Sequence, residues 1–544
     1  MLVLLCVALF FAIGMNRIEF RGITHVEAYI PGMNLPPEIS EPPPRFSLVE
    51  TLTWHWHSEP HPPGYFILML GWTKLFGASL LAVRLPSLLL GCASIVMAHI
   101  VGRRMTRTVW GGVIAAALLT FNGHHLLWAL MARPYELALA LSLLSTWLWL
   151  QLLSDEHPNP KLEIAYAITL ALGLYTHVLL WTFLAAQMAY SILIRPPRAR
   201  LASRVLYFQS LSTLVSSPMI FHALYSGRGV GSGGDPSFAF TQDFLNFGFL
   251  FNADPQKNVD IPFLFEGALT LCVLLCILLF IRDQGQRRPP QLASQKLPPL
   301  GSLILIGLGF SIILFCLNRQ AWREVSAAAV TPIFPLLTLL GYAGLTVLRV
   351  PHTWPKQGFV AGLSPLPFLG AMTLLLTYAI SVVQPAAVSR GLLIAVPPLL
   401  LTIAGGCIAL LRIRRSAGVA VLIFAGSAGA YSLEWYRDYL IDRDYRGLAE
   451  RLVPSLQEGD RLFVRNRDWL TTPFFYHLPD EHGRLIAKDY QKAIGRVQRV
   501  WVINFDRQTT TPEMSAALGE FSEGETLFAS RARATLYFRE DSER

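Results

Sequence analysis

Long apolar runs recur from one end of the chain to the other, separated by short polar breaks, and most approach the roughly 20 residues a helix needs to cross a bilayer core. They predict spans near 1–15, 81–102, 109–127, 135–153, 163–177, 179–194, 205–224, 261–281, 299–317, 329–348, 359–382, 391–411 and 417–433, about thirteen in all, with 163–194 running nearly together. A cleaved leader would need a basic segment and a small-residue cleavage site; neither is clear, so the first run is read as a span. With the N-terminus inside, the inside breaks hold about seventeen Lys and Arg and the short outside breaks roughly six, so the basic bias supports that orientation and leaves the C-terminal region outside.

Two outside segments are long. The first, 16–80, contains a Pro-rich stretch from Leu35 to Arg45 and the apolar run Gly64–Gly77, too short to span and expected to lie in the interface. The second, 225–260, opens with Gly227, Gly229, Gly231, Gly233 and Gly234; without the Gly-Lys-Ser/Thr ending of a phosphate-binding loop it reads as a flexible linker. Past 434 the long apolar runs stop. An amphipathic helix is predicted over 444–457, strands over 461–465, 499–504, 525–529 and 534–538, and a helix over 512–520. The chain thus divides into a membrane domain, 1–433, and a small extracytoplasmic α/β domain, 434–544. No internal repeat is visible, which weighs against a transporter built from duplicated halves.

Composition agrees: 53% of the 544 residues are apolar, 15% are charged, and mean hydropathy is positive, which excludes a disordered chain and argues against a soluble enzyme. The net charge of +9 would suggest nucleic acid in a soluble protein; here it belongs to the topology, and no nucleic-acid partner is expected. All six cysteines lie in apolar runs, so neither a disulfide framework nor a cysteine zinc site is expected.

Polar groups gather on one side of this map. The first outside segment offers His25, Glu27, His55, His57, Glu59 and His61, and the outer helix ends offer Arg84, His124, His125, Arg133, Tyr135, His177, His222 and Arg390. Interfacial anchoring suits any one of them, but charges at that depth need protein, water or a ligand to face, and the one-sided set points to a site. His55, His57, Glu59 and His61 are metal-ligand types, yet their spacing is not a strong metal pattern, so a divalent ion is a candidate cofactor and no other is expected.

The motifs carry a resemblance. His61-Pro62-Pro63-Gly64-Tyr65, Trp72-Thr73-Lys74-Leu75-Phe76-Gly77, Arg84-Leu85-Pro86-Ser87, Ala132-Arg133-Pro134-Tyr135, Leu174-Tyr175-Thr176-His177, Arg390 with Pro397, and Asp444-Tyr445-Arg446 follow one another as in the multispanning glycosyltransferases that use lipid-linked sugars. The chain resembles these GT-C fold enzymes of glycosyltransferase family 39 type, related to protein O-mannosyltransferases and aminoarabinose transferases. The resemblance implies a bacterial inner-membrane or plasma-membrane protein that moves a sugar from a polyprenyl-phosphate donor to a lipid, protein or polysaccharide acceptor at the outer face. It implies donor phosphate or sugar contacts at His61, Lys74, Arg84, Arg133, Tyr135, His177 and Arg390. Arginine suits a leaving phosphate because its fork is bidentate and permanently charged. One departure bears on the catalytic base: the family's Asp-Glu pair reads Val26-Glu27 here, and Glu59 stands where another Asp is usual. Glu27 is expected to be the proton acceptor, its pKa raised by partial burial, with Glu59 orienting the acceptor or an ion. A flippase for lipid-linked glycans and a non-catalytic binder are the alternatives.

Overall fold

The computed structural model describes residues 1–20, 22–24, 27–33, 47–58, 62–154, 159–193, 199–219, 222, 275–281, 283, 364–383, 389–441, 444–464, 474–478, 494, 497–505, 512–530 and 532–539. The predicted linker 225–260, the predicted spans 299–317 and 329–348 and most of 261–281 lie outside them.

Helices α1 (Leu2–Arg17), α2 (Leu48–Ser58), α3 (Gly64–Phe76), α4 (Leu80–Thr106), α5 (Val109–Thr120), α6 (Gly123–Ala129), α7 (Tyr135–Leu152), α8 (Pro160–Leu174), α9 (Leu180–Leu193) and α10 (Ala199–Val215) build the first part of the chain. After 363 come α11 (Pro365–Val383), a 3-10 segment (Ser389–Ala395), α12 (Val396–Ile413) and α13 (Arg415–Ile441). Among the described residues, four stretches are long and apolar enough to cross a membrane: Leu80–Thr106, Tyr135–Leu152, Gly391–Ile413 and Arg415–Glu434. The architecture is that of a polytopic helical membrane protein. Residues 391–410 are buried throughout, as expected of a helix apolar all round at the centre of a bundle.

One predicted span is broken for a legible reason. The run 109–127 becomes α5 and α6, bent by 64°, because Asn122 interrupts it: its Oδ1 accepts from the His125 amide at 2.8 Å and starts a new helix. The nearly continuous runs 163–177 and 179–194 form two separate helices, α8 and α9, parted at Tyr175-Thr176-His177. At the other end, α13 continues past 434 to Ile441, so the change in composition falls inside a helix.

With lipid outside, interhelical polar bonds and close packing hold such bundles. Tyr166 donates to Gln187 Oε1 at 2.8 Å and accepts from Gln209 Nε2 at 2.9 Å, tying α8, α9 and α10; Trp149 Nε1 donates to Ser191 at 3.2 Å, and Thr182 and Thr377 share a bond at 3.0 Å. Between α4 and α5, a Cβ on Gly112 would stand 2.5 Å from the His99 carbonyl, so the two helices meet at a distance only glycine permits there.

The C-terminal region carries a four-stranded sheet of β1 (Arg461–Val464), β2 (Arg499–Phe505), β3 (Ser522–Ala529) and β4 (Ala532–Phe538), ordered β1-β2-β4-β3, with β1 and β2 parallel and the other pairs antiparallel. Helix α14 (Tyr445–Leu452) starts where Asp444 accepts from the Gly447 amide at 2.7 Å. Trp501, Ile503, Leu462 and Val464 pack in one core with α14; Phe463, Val500 and Val502 pack on the other face with Met514, from α15 (Pro512–Ala517), and Leu518. The parallel pair β1 and β2 is therefore apolar on both faces.

Candidate active site

The chain leaving α1 does not extend away from the bundle. Ile23, Ile30 and Met33 fold back onto Tyr65, Phe66 and Met69 of α3 and Leu80 and Val83 of α4, forming a small core of their own. Thr73 donates to the Pro31 carbonyl at 2.8 Å and Trp72 Nε1 to the Ala82 carbonyl at 2.8 Å, fixing α3 against both neighbours.

Glu27 stands at the centre of this arrangement and is completely buried. Its Oε1 accepts from Arg84 Nε and from the Ala132 amide, each at 2.8 Å; its Oε2 accepts from Arg84 Nη2 and from the Thr24 amide, each at 2.8 Å. Arg84, equally buried, also donates to the carbonyls of Ile18 at 2.7 Å and Gly22 at 2.9 Å. One carboxylate thus joins the loop after α1, the second turn of α4 and the turn between α6 and α7. Burial alone would raise the Glu27 pKa, but the Arg84 charge and bond, with the two amides, outweigh it and hold the carboxyl down at about 2. The expected rise does not occur, because burial here is complete and every lone pair is matched. The Arg84 guanidinium, expected from the sequence to meet a donor phosphate, is bonded here to protein acceptors inside a buried core.

The other expected residues separate into three groups. Arg133 and Tyr135 flank the turn that begins α7, and the half-buried Arg133 lies close enough to Tyr65 for its charge to act on that hydroxyl. Tyr135 packs against His177 with ring centres 5.2 Å apart and against Trp128 at 4.6 Å, while His177 Nδ1 accepts from the Leu179 amide at 3.2 Å. Lys74, by contrast, is exposed near the end of α3 beside exposed Leu75 and Phe76, away from the cluster; the interfacial placement expected for this helix suits those side chains. Glu59 and His61 lie outside the described residues. For Arg390 only the backbone is described: its 3-10 segment packs against α6 and α7, on whose connecting turn Arg133 sits.

Two motifs far apart in sequence touch directly. The Gly64 amide donates to the Tyr175 carbonyl at 2.8 Å, and a Cβ on Gly64 would stand 2.6 Å from that oxygen. The Pro-Pro-Gly-Tyr and Tyr-Thr-His segments can meet only with glycine at 64. Gly64→Ala is expected to force them apart, costing about 1–3 kcal/mol as overpacking does, and to lower the unfolding temperature of the purified protein.

Two features were not paired in advance. His125 and Glu136, both completely buried, face each other with Nε2 and Oε2 3.2 Å apart, and Phe10 stacks on His125 at 4.6 Å. The signal was an acidic residue directly after Arg133-Pro134-Tyr135 in an apolar stretch. The second is His477 of the C-terminal region, whose Nε2 accepts from the Ile23 amide at 3.3 Å. Burial, with the Arg84 and Arg446 charges adding and Glu450 opposing, brings His477 down to about 4 from its ordinary 6.5. The neutral ring is the one that can accept. The unfolded chain binds this proton first as pH falls, so stability from His477 is present above about 6.5 and lost as pH falls toward 4. Thermal unfolding followed between pH 7 and pH 4 should show this loss, and His477→Gln should flatten it.

His55 packs between Trp54 and Phe66, and His222 Nε2 lies 3.2 Å from the Trp56 carbonyl. Among the described residues no three His, Cys, Asp or Glu side chains come together as metal ligands.

Residues 60–222 match the family model described as dolichyl-phosphate-mannose-protein mannosyltransferase. Among curated proteins, no sequence matches the chain. Of solved structures, the chain is similar to a crystal structure of ArnT from Cupriavidus metallidurans bound to undecaprenyl phosphate, with 13% identity, TM-score 0.44, and 98% of this chain and 97% of that one covered. It is similar also to the same protein in the apo state, with 16% identity, TM-score 0.42 and the same coverage. The family match runs from the segment before α3 to His222 and includes Arg84, Arg133, Tyr135, Tyr175 and His177. Over residues 60–222, then, the chain carries the sequence signature of the dolichyl-phosphate-mannose-protein mannosyltransferase family, and the resemblance read from the motifs holds for the part that builds most of the site.

Proposed function

We propose that the protein is a membrane glycosyltransferase that moves a sugar from a polyprenyl-phosphate donor to an acceptor hydroxyl at the outer face of a bacterial inner or plasma membrane. The observation that carries this reading is the coincidence of the family match with the cluster of Arg133, Tyr135, Tyr65 and His177 around the Gly64–Tyr175 junction. In the reaction the acceptor oxygen bonds to the anomeric carbon, the bond from that carbon to the donor phosphate breaks, and the hydroxyl proton passes to a carboxylate. Arg133 stabilises the charge growing on the leaving phosphate, and Arg390 joins it from the 3-10 segment beside α7. Tyr135 and His177 form the adjoining wall.

The base is Glu59. Glu27 has each carboxylate oxygen already bonded twice and a depressed pKa, which suits an organiser of the loop and not a proton acceptor. Glu59 lies just ahead of Pro62-Pro63-Gly64, the segment docked on Tyr175. No metal is assigned a step. A flippase would want its polar groups at mid-membrane; here Arg84, Arg133 and Tyr135 sit near the N-terminal ends of α4 and α7, which favours transfer.

The test is release of polyprenyl phosphate from a polyprenyl-phosphate sugar by the protein in proteoliposomes, with lipid, peptide and polysaccharide acceptors offered in turn. Arg133→Ala is expected to lower donor binding and turnover by about 10–150-fold, from the roughly 1.5–3 kcal/mol of lost charge-assisted bonds, and Arg133→Lys to restore part of it. Donor binding with no release on any acceptor would mark a non-catalytic binder, and unchanged turnover in Arg133→Ala would remove the proposed phosphate contact.

A further inference from the structure

The end of α4 remote from Arg84 carries Arg103, Arg104 and Arg107, three guanidinium groups in five residues. They open on a cavity of about 540 Å³ whose walls also include His99, Trp147 and Gln151. The cavity is built, not incidental. Arg104 Nη2 donates to the Leu150 carbonyl at 3.1 Å and to Ser154 at 2.6 Å, closing the wall between α4 and α7. Arg107 adopts the left-handed conformation, φ 55°, that ends α4. Glycine would sit there with less strain, so the position holds a charge against a backbone preference. Arg103 and Arg107 are exposed and make no ion pair among the described residues.

What surrounds the mouth identifies the ligand chemistry. The lining residues Ile100 and Val109, and Trp110 next to them in sequence, are exposed by 37%, 52% and 61%, an apolar border whose indole suits the headgroup boundary. Val109 begins α5, so the first turn of that helix adds its amide dipoles to the three cations. A cavity of this size takes a small polar group, and the border takes the acyl chains attached to it.

We propose that this cavity binds the phosphate headgroup of an anionic glycerophospholipid, at the opposite membrane face from the sugar-transfer site. Arg84 and Arg103 are nineteen residues apart on one helix, about 28 Å along its axis, so this site and the candidate active site are at opposite ends of α4. The basic bias of the loops puts it on the cytoplasmic leaflet, where anionic headgroups meet basic pockets between helices. The inference depends on the chain spanning a membrane and not on the transfer reaction.

Full-length protein in detergent, titrated with dioleoyl phosphatidylglycerol, dioleoyl phosphatidylcholine or inorganic phosphate and followed by native mass spectrometry and thermal unfolding, tests it. Wild type is expected to bind and be stabilised by phosphatidylglycerol over phosphatidylcholine. Arg103→Gln with Arg107→Gln should weaken that binding by about tenfold or more, while Arg414→Gln with Arg415→Gln, exposed arginines of another turn, should not. The single change Arg103→Gln leaves the turn at Arg107 intact and should give a smaller loss in the same direction. Equal losses in both double variants would reduce the effect to general surface charge and overturn the proposal. So would unchanged binding in the Arg103 and Arg107 variants, or inorganic phosphate competing as strongly as the lipid.

Discussion

Glu27→Gln is expected to destabilise the protein by about 3–5 kcal/mol, because it leaves the Arg84 guanidinium buried without its counter-charge. The amide nitrogen of glutamine would also face donors: of the four bonds now made to the carboxylate, those to one oxygen would become donor against donor. The loss should appear as a lower unfolding temperature and easier proteolysis between α1 and α2, with activity falling in proportion to folded protein. A matching pH dependence follows from the depressed pKa. The unfolded carboxyl takes up its proton near 4.5 and the folded one near 2, so this contribution is present above about 4.5 and lost as pH falls toward 2. That window lies below the one set by His477. A Glu27→Gln protein that unfolds at the wild-type temperature would show that the pair is not holding the loop.

Glu59→Gln should behave in the opposite way. Its fold and donor affinity are expected to persist while turnover falls by about 10²–10⁴, the usual worth of a general base. Single-turnover release of polyprenyl phosphate separates the two steps. If Glu59→Gln retains full turnover, the assignment of the base is wrong, and Glu27 does not inherit it unless its own variant folds normally.

These two variants also mark how far the sequence could be read. The apolar runs announced the helices because their period and length answer directly to the bilayer, and α4, α7, α12 and α13 fall where they were expected. Breaks inside runs were harder. Asn122 lies in a stretch apolar enough to average it away, yet one capping bond redirects the helix there. The strands β1, β2 and β4 were visible through their dense apolar patterns, whereas β3 begins earlier than expected, its first residues being polar and exposed. In the site, Arg133, Tyr135 and His177 were each marked, but no local pattern says that Tyr135 meets His177. Glu27 and Arg84 were also marked, 57 positions apart, and given separate roles; no local pattern says that they form one buried ion pair. Lys74 was marked by its motif, although its place on an exposed helix face is set by where α3 docks.

The bond from Ile23 to His477 spans 454 residues. A ribosome working at about 5–20 residues per second needs roughly 20–90 s to cover that distance. For all of that interval the loop after α1 exists without its last partner. Arg84 is made within seconds of Glu27, so the nascent loop can close on its ion pair early and wait. A chain halted before 477 would leave the Ile23 amide and the ring's place beside Gly22 open to water, giving quality-control proteases a local mark of unfinished synthesis.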